Sequence, residues 1–387
     1  MRDIVPKLSY MWTKIFNLEQ SLFPMLQEEL RLKALSTKEQ KLIRILDFAN
    51  IEEQVHVVTI TNPPKDRQEM ARAFVAKSVY NIQTTRDLID RLKIDRTLRI
   101  ICGWRYPKDI PSEAKFSRAF EEFSRNNIAQ KAQDVFIQEY LSDTLFLYNA
   151  TDATKIPLRQ KPLKVEKETK PKAKRGRPKK GEVKEAKKPT ILQQQKDMDS
   201  TKEMLELVST QCSVGTKINA KGHKEKWIGG KLHISVVDGD IPISAIYSGA
   251  SVHDSSLSLP LIQETSHKVQ YLYDLQDAGY DADTIREFSI KHNHRPLIDI
   301  NPRNSKELKA QIALDKEEKK RFEFLNMSLS SDQHHYNQRS MVERVNKYLK
   351  DDFGCDKIYY QGANKVASVL AFGILSICIH QSLKLIT

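Results

Sequence analysis

The chain has 387 residues, of which 40% are hydrophobic and 29% are charged, and its formal net charge is +13. This length and composition suit a mostly globular chain of two or three domains. The four cysteines are widely spaced and include no C-x-x-C pair, which excludes a zinc ribbon and a disulfide framework and suits a reducing cytosol.

Two stretches decide whether the sequence predicts a membrane segment. At the N-terminus, Lys7, Lys14 and Glu19 interrupt any apolar run, so we expect no signal peptide. The apolar run Val366–Ile379 has 14 residues, whereas a helix that spans a bilayer needs ~20. We therefore expect a buried core helix there and no membrane partner.

Residues 1–135 are predicted to form a helical N-terminal domain for DNA binding or dimerisation. Met70–Tyr80 has apolar residues at helical spacing, and Thr84 and Thr85 are candidate N-caps for the next helix. The segment Ile110–Glu113 opens a further helix, with an aromatic stripe on one face that consists of Phe116, Phe120 and Phe123. We interpret this stripe as core; a base-stacking surface is the alternative.

A basic arm, residues 157–190, follows a predicted strand at Thr144–Asn149. From Lys155 to Lys188 there are fifteen Lys or Arg residues and four Glu, a net charge of +11 that accounts for nearly all the excess. Repeated prolines prevent regular structure in the arm. Such concentrated charge indicates a polyanionic partner, most simply nucleic acid, while a solubilising linker is the alternative.

Within the arm, one short motif resembles an AT-hook. Arginines of such motifs enter the narrow minor groove of A·T-rich DNA, where the negative potential is enhanced, and glycine lets the backbone approach the groove. The motif and its flanking lysines are Lys174, Arg175, Gly176, Arg177, Pro178 and Lys179.

Beyond the arm, the predicted elements alternate between helix and strand, which indicates the α/β class. A helix at Ser200–Val208 precedes two strands that flank the turn Asp238-Gly239-Asp240. The predicted elements from these strands onward are Lys231–Val237 (strand), Ile241–Tyr247 (strand), Ser256–Glu264 (helix), Val269–Leu275 (strand), Ala282–Lys291 (helix), Pro296–Ile300 (strand) and a charged helix.

A single helix is predicted from Tyr336 to Lys350. At ~100° per residue, Tyr336, Arg339, Glu343 and Lys350 share one narrow stripe, and an apolar face lies elsewhere. The carboxylate can hold a metal while the two cations bind phosphate oxygens. An ordinary surface helix with an i,i+4 Arg–Glu pair is the alternative. The apolar face consists of Val342, Val345 and Leu349.

The spacing Tyr-x2-Arg-x3-Glu-x6-Lys, from Tyr336 to Lys350, resembles the signature of bacterial insertion-sequence transposases of the fourth and fifth families. That family also has two strand-end aspartates. Asp152-Ala153-Thr154 resembles the first motif, and Asp277-Ala278-Gly279-Tyr280 resembles the second. Asp254 and Asp274 are the nearest competing carboxylates. Further similarity lies in Asp109–Glu113, Trp227–His233 and Ala250–Asp254.

The resemblance implies a fold and a metal site. Residues 140–387 would form a ribonuclease-H-like mixed sheet, interrupted by the basic arm. Asp152, Asp277 and Glu343 would be the catalytic carboxylates and the ligands of two divalent ions. Because carboxylate oxygens are hard ligands, Mg²⁺ is expected, with Mn²⁺ as a substitute.

The resemblance also implies a function. The chain would be a DDE transposase that binds the terminal inverted repeats of its element and catalyses DNA cleavage and strand transfer. Its partners would be double-stranded DNA and a second copy of the chain in a synaptic complex, in the cytoplasm at the nucleoid. Tyr336, Arg339 and Lys350 would contact DNA, as would the arm. The alternatives are a DNA-binding protein without catalysis and a nuclease that cuts without joining.

Overall fold

The computed structural model describes residues 34–55, 64–162, 189–218, 222–303, 305–324 and 331–385. Most of the basic arm, including the predicted AT-hook at Lys174–Lys179, lies outside these ranges. The first part of the described chain is helical, as predicted. Its helices are α1 (Thr37–Ala49), α2 (Arg67–Val79), α3 (Thr85–Ile94), α4 (Arg96–Cys102), α5 (Glu113–Asn126) and α6 (Ile128–Tyr140).

The helix boundaries in this part follow from local capping. The Thr84 side chain accepts a hydrogen bond from the Asp87 N–H and caps α3, as predicted. The helix predicted to open at Ile110–Glu113 begins at Glu113, with Ser112 as its N-cap residue in extended backbone. The three phenylalanines of α5 are buried around Phe74 of α2, which confirms the core interpretation over a base-stacking surface.

The second part of the chain combines a mixed sheet with helices on both faces. Its strands are β1 (Leu145–Pro157), β2 (Ser213–Ile218), β3 (Lys224–Val237), β4 (Ile241–Gly249), β5 (Gln270–Gln276) and β6 (Arg295–Ile298). Its helices are α7 (Ile191–Gln195), α8 (Thr201–Glu206), α9 (Ser258–Lys268), α10 (Asp283–Lys291), α11 (Lys306–Phe324), α12 (Ser331–Asn337), α13 (Ser340–Asp351) and α14 (Ala363–Lys384).

Strand β1 lies at the centre of the sheet. It is antiparallel to β3 on one side and parallel to β5 on the other, and β6 continues the parallel part. Both β2 and β4 pair with β3 in antiparallel fashion. The mixed α/β prediction is confirmed, and the arrangement is consistent with a ribonuclease-H-like core.

The predicted hairpin is present, with Val237 opposite Ile241 across the turn Asp238–Asp240. Gly239 has a φ of +82°, in the left-handed region that glycine enters without steric cost. The helix predicted at Ser200–Val208 is shorter than expected, because α8 ends at Glu206.

Helix α14 ties the two parts together. It packs against α2, α5 and α6 and also against β4, so one hydrophobic core crosses the boundary that we predicted near residue 135. The division into domains therefore stays a prediction.

Among the described residues, α14 is the one helix long and apolar enough to cross a membrane, and 78% of its most apolar stretch is buried in the protein. The prediction of a buried core helix is confirmed. All four cysteines are buried and free.

Candidate active site

Two of the predicted catalytic carboxylates meet where the parallel pairing of β1 and β5 ends. Thr151 lies opposite Gln276 in the last register pair, and the next residues along the two strands are Asp152 and Asp277. Since parallel strands run in the same direction, their next residues emerge at the same edge. This geometry brings together two carboxylates that are 125 residues apart in the sequence.

The predicted position of Asp152 was wrong in one respect. We expected it to follow a strand that ends at Asn149, but β1 continues to Pro157 and Asp152 lies inside it. The strand is longer than predicted because β1 has a second neighbour, β3. After the pairing with β5 has ended, β3 stays paired with β1 up to the pair Pro157–Gly229. The prediction for Asp277, directly after its strand, is confirmed.

The half-buried Asp152 carboxyl has a perturbed pKa. Burial is the main reason that the pKa is raised to about 6. The Asp277 carboxylate also raises the pKa, whereas the Ala153 N–H, Arg339 and Lys217 lower it. Asp277 is held by its own turn, in which its Oδ1 accepts a hydrogen bond of 2.8 Å from the Gly279 N–H. The site therefore concentrates negative charge in partly desolvated surroundings.

The segment from Tyr336 to Lys350 is not one helix, which corrects our prediction. Helix α12 ends at Asn337 and α13 begins at Ser340, and Gln338 and Arg339 form a turn between them. Here the N–H of Arg339 bonds to the Tyr336 carbonyl, a tight i to i+3 contact.

The break has a physical cause, because the two helices are anchored to different surfaces. On α12, His335 bonds to the Tyr148 hydroxyl at 2.7 Å and stacks on Tyr273. On α13, the predicted apolar face is fully buried against β1 and β3. A single straight helix does not make both sets of contacts, so the chain turns at Arg339 between α12 and α13.

Arg339 interacts electrostatically with all three predicted carboxylates. Its Nη2 forms an ion pair of 2.8 Å with Oε1 of Glu343. Burial lowers the pKa of the Arg339 guanidinium, but Tyr336, Glu343, Asp152 and Asp277 together raise it above its ordinary value. The guanidinium thus supplies a positive charge beside carboxylates that would otherwise repel one another.

The role of Tyr336 depends on a residue that sequence reasoning missed. The phenol donates a hydrogen bond to the carboxylate of Asp299, which follows β6 directly, and the aromatic ring lies 5.9 Å from Cζ of Arg339. Burial, followed by the contact with Asp299, raises the pKa of the Tyr336 phenol. The position of Asp299 directly after a parallel strand was the available signal, since Asp277 follows β5 in the same way.

Glu343 stands apart from the two aspartates in this conformation. Its side chain is 57% exposed and is paired with Arg339. Within the described ranges, no group of three His, Cys, Asp or Glu side chains converges tightly enough to hold a metal ion. Two of the three predicted ligands are therefore adjacent in register, and the third is linked to them through Arg339.

The chemistry of the two aspartates nevertheless fits a divalent cation. Both present hard oxygen donors, and their mutual repulsion would be relieved by a cation. The fully buried Tyr280, whose charge environment includes Asp152 and Asp277, has a hydroxyl that no described residue hydrogen-bonds. An unsatisfied buried hydroxyl beside a pair of carboxylates suits a site that takes up water or a hydrated ion.

Lys350, the last residue of the predicted stripe, contacts β1 instead of the carboxylates. Its Nζ donates a hydrogen bond to Oγ1 of Thr154, which lies two residues beyond Asp152 on the same face of the strand. Burial lowers the pKa of the Lys350 ammonium, and neighbouring lysines lower it further, against Asp351 and Asp356. Lys350 is thus a half-buried cation that contacts β1 at the position two residues beyond Asp152.

The two competing aspartates have other partners. Asp274 is fully buried and accepts hydrogen bonds from the side chains of Asn149 and Gln276 on the opposite face of the sheet. Asp254 forms an ion pair of 2.7 Å with Lys231. Neither replaces Asp152 or Asp277.

Comparison with protein families gives two matches. Residues 150–379, more than half of the chain, match the family described as "Transposase DDE domain". Residues 29–122 match "Transposase domain (DUF772)". No curated protein and no solved structure matches the chain. With a match that covers both aspartates and the segment from Tyr336 to Lys350, the chain belongs to the DDE transposase family.

Proposed function

We propose that this transposase binds the terminal inverted repeats of an insertion sequence, cuts the DNA at these ends and joins the 3′-hydroxyls to target DNA. The observation that carries the proposal is the pair Asp152 and Asp277 at the end of the β1–β5 pairing, next to Arg339. A pair of half-buried carboxylates that interact electrostatically with a guanidinium suits the binding of a metal ion and a phosphodiester together.

Asp152 and Asp277 would hold the divalent cation, with Glu343 as the third ligand. Mg²⁺ fits the oxygen donors, and Mn²⁺ is the expected substitute. When bound, such ions activate the attacking oxygen and stabilise the leaving oxygen of the displacement. Release of Glu343 from its ion pair with Arg339 would make its carboxylate available to the site.

The cationic side chains would bind and orient the DNA backbone. Arg339 presents a planar fork that matches two phosphate oxygens, and Tyr336 fixes the position of the fork through its ring. Lys350 would place a point charge on a neighbouring phosphate. The predicted AT-hook at Arg175–Pro178 would add minor-groove contacts outside the catalytic centre.

The partners follow from this chemistry. Two DNA ends and a target duplex have to be held together during joining, so we infer a homodimer in the synaptic complex. The substrate is cellular DNA, which places the working protein in the cytoplasm at the nucleoid.

The test is a joining assay on the DNA that flanks this gene. Purified full-length protein would be mixed with a labelled duplex that ends in the flanking inverted repeat, with a plasmid target, and with Mg²⁺, Mn²⁺ or EDTA. We expect labelled plasmid with either metal and none with EDTA. Cut duplex without joined product would show a nuclease, and binding without cutting would show a DNA-binding protein; either result overturns the proposal.

A further inference from the structure

The hairpin turn between β3 and β4, residues 238–240, is attached to the strand that carries Asp152. Oδ2 of Asp238 accepts hydrogen bonds from the backbone N–H groups of Leu147 and Tyr148, near the start of β1. The register pairing of β1 with β3 ends just before the turn. The Asp238 side chain therefore extends the attachment of the hairpin to β1 beyond the last paired residues.

The same turn is attached to α13 through Arg344, the residue after Glu343 in the sequence. Nε and Nη2 of Arg344 lie 2.9 and 2.7 Å from the two carboxylate oxygens of Asp240, a bidentate ion pair. Nη1 of the same side chain donates a hydrogen bond of 3.0 Å to Oγ of Ser340, in the first turn of α13. One planar guanidinium thus joins the start of the helix to the hairpin and fixes direction as well as distance.

The position of Glu343 depends on how α13 is rotated about its own axis. The Glu343 side chain is mostly exposed, and the buried apolar face of the helix makes contacts that are non-directional. Because side chains extend about 5–6 Å from a helix axis, a rotation of about 20° would move the carboxylate by about 2 Å. A displacement of about 1 Å can slow an enzymatic reaction about 100-fold. Directional contacts that fix the rotation of α13 therefore matter for the reaction.

The Asp240–Arg344 pair is suited to fixing geometry and contributes little to stability. The Arg344 side chain is 48% exposed, and ion pairs that are open to solvent stabilise a fold only slightly. Asp240 has a φ of +62°, in the left-handed region that aspartate enters more readily than most residues. The turn thus holds the Asp240 carboxylate, which is only 16% exposed, in one defined direction against α13.

We propose that Asp240 and Arg344 are positioning residues whose ion pair holds α13 on the hairpin turn and so places the Glu343 carboxylate at the metal site. The turn is also fixed to β1, so it sets the distance between the strand of Asp152 and the helix of Glu343. This inference rests on the proposed function, because it takes Glu343 as the third metal ligand. Arg344 acts through Glu343 and contacts neither the cation nor the DNA.

The first test measures joining by full-length Arg344→Gln and Asp240→Asn proteins. Each variant breaks the ion pair, and we expect each to join DNA about 10- to 100-fold more slowly, the usual effect of losing a group that orients a metal ligand. The double variant should be no slower than either single variant, because both remove the same interaction.

Lys196→Gln is the matched control for the joining assay. It breaks the ion pair of 2.6 Å between Lys196 and Glu287 of α10, and the Lys196 side chain is 47% exposed, close to the value for Arg344. We expect this variant to join DNA at the wild-type rate. The urea midpoints of the Arg344→Gln and Lys196→Gln proteins should both stay close to that of the wild type, so that slow joining does not reflect unfolding.

Duplex affinity separates the positioning role from a direct phosphate contact of Arg344. If Arg344 bound a phosphate, Arg344→Gln would reduce the slope of log K against log[salt] by about 0.9, and Asp240→Asn would free the guanidinium and bind DNA at least as tightly as the wild type. We expect both variants to keep the wild-type affinity and salt slope and to join DNA slowly. Fast joining by Asp240→Asn together with slow joining by Arg344→Gln would overturn the positioning role.

The second test measures Mn²⁺ binding to the complex of the protein with the duplex, from the electron paramagnetic resonance signal of the free ion. We expect Arg344→Gln to weaken Mn²⁺ binding about tenfold. In a Glu343→Gln background, which has already lost the ligand, Arg344→Gln should cause no further weakening. Equal weakening in both backgrounds would show that Arg344 does not act through Glu343 and would overturn the inference.

The two proposals fail in different ways. A wild type that joins DNA, while Arg344→Gln and Asp240→Asn join it equally fast, overturns the positioning role alone. A wild type that neither cuts nor joins DNA overturns the proposed function.

Discussion

The two faces of the central sheet both carry polar side chains, yet their surroundings differ completely. On the site face, Asp152 and Thr154 of β1 lie close to Arg339 and Lys350 and are partly open to solvent. On the sealed face, the polar side chains of the same and neighbouring strands are fully buried. These are Asn149, Thr151, His233, Ser235, Asp274 and Gln276.

On the sealed face, most of the buried polar side chains form hydrogen bonds with one another. Thr151 and Ser235 are register partners whose hydroxyl oxygens lie 2.9 Å apart. Gln276 donates to Asp274 and accepts from Ser258 of α9. Such mutual pairing is what burial demands of polar side chains. An aspartate on a strand is therefore a functional residue only where the pairing ends and cations or solvent can reach it.

The largest expected effect separates an aspartate of the site face from one of the sealed face. Asp152→Asn and Asp277→Asn should each lower the joining rate at least about a thousandfold, or about 4 kcal/mol, because a carboxamide replaces a charged metal ligand. Asp274→Asn should reduce the free energy of unfolding by about 1–3 kcal/mol through lost hydrogen bonds, while the joining rate per folded molecule stays close to that of the wild type.

Denaturant unfolding and single-turnover joining, measured on the same preparations, give the two quantities. Duplex affinity serves as the control, because neither site-face variant should weaken it. Joining that survives in Asp152→Asn, or that is lost in Asp274→Asn at full folding, would reverse the assignment of the two faces.

Much of the site face was predictable because it follows local rules. Period-two spacing placed β4, β5 and the second half of β3, and helical spacing placed α9 and α10; the residue after β5 was identified as Asp277. Asp152 was identified through the motif, although the strand around it was predicted to be too short. The apolar face of α13 was likewise evident from its spacing.

The remainder of the site depends on long-range contacts that no local pattern encodes. The turn at Arg339 arises because α12 docks on Tyr148 and Tyr273, which lie far away in the sequence. Asp299 was within reach of the strand-end rule, but the predicted strand extended past it to Ile300.

The second prediction concerns His233 on the sealed face and tests how strongly that face disfavours a charged side chain. This histidine is fully buried, and burial lowers its pKa to about 4 from 6.5. On acidification the unfolded chain takes up a proton first, so the free energy of unfolding falls as the pH drops from about 6.5 towards 4. We expect a loss of about 2–3 kcal/mol from this residue by pH 4.5.

His233→Gln should remove that part of the pH dependence, since glutamine does not titrate. His253→Gln is the matched control, because His253 is exposed and bonds to Ser255 within its own turn. Urea unfolding from pH 7 to pH 4.5 gives the free energies. If His233→Gln keeps the wild-type pH dependence, water reaches the sealed face and the contrast between the faces is smaller than the burial indicates.

The smallest expected effect concerns Tyr336, which connects the site face to the end of β6. Tyr336→Phe removes the hydrogen bond to Asp299 but keeps the ring beside Arg339. Because Asp299 is exposed and water can replace the phenol, we expect a joining rate about three- to tenfold lower, or about 0.7–1.4 kcal/mol. Tyr336→Ala also removes the ring and should slow joining further, because Arg339 loses the surface that orients it.

Tyr359→Phe is the control for this series, since that phenol is exposed and lies outside the site. If Tyr336→Phe joins DNA as fast as the wild type while Tyr336→Ala is slow, the ring alone positions Arg339 and Asp299 has no part in the site. If both variants are slow to the same extent, the hydroxyl is the essential group. Asp299→Asn should then reproduce the defect, which would extend the site face from β1 and β5 to the end of β6.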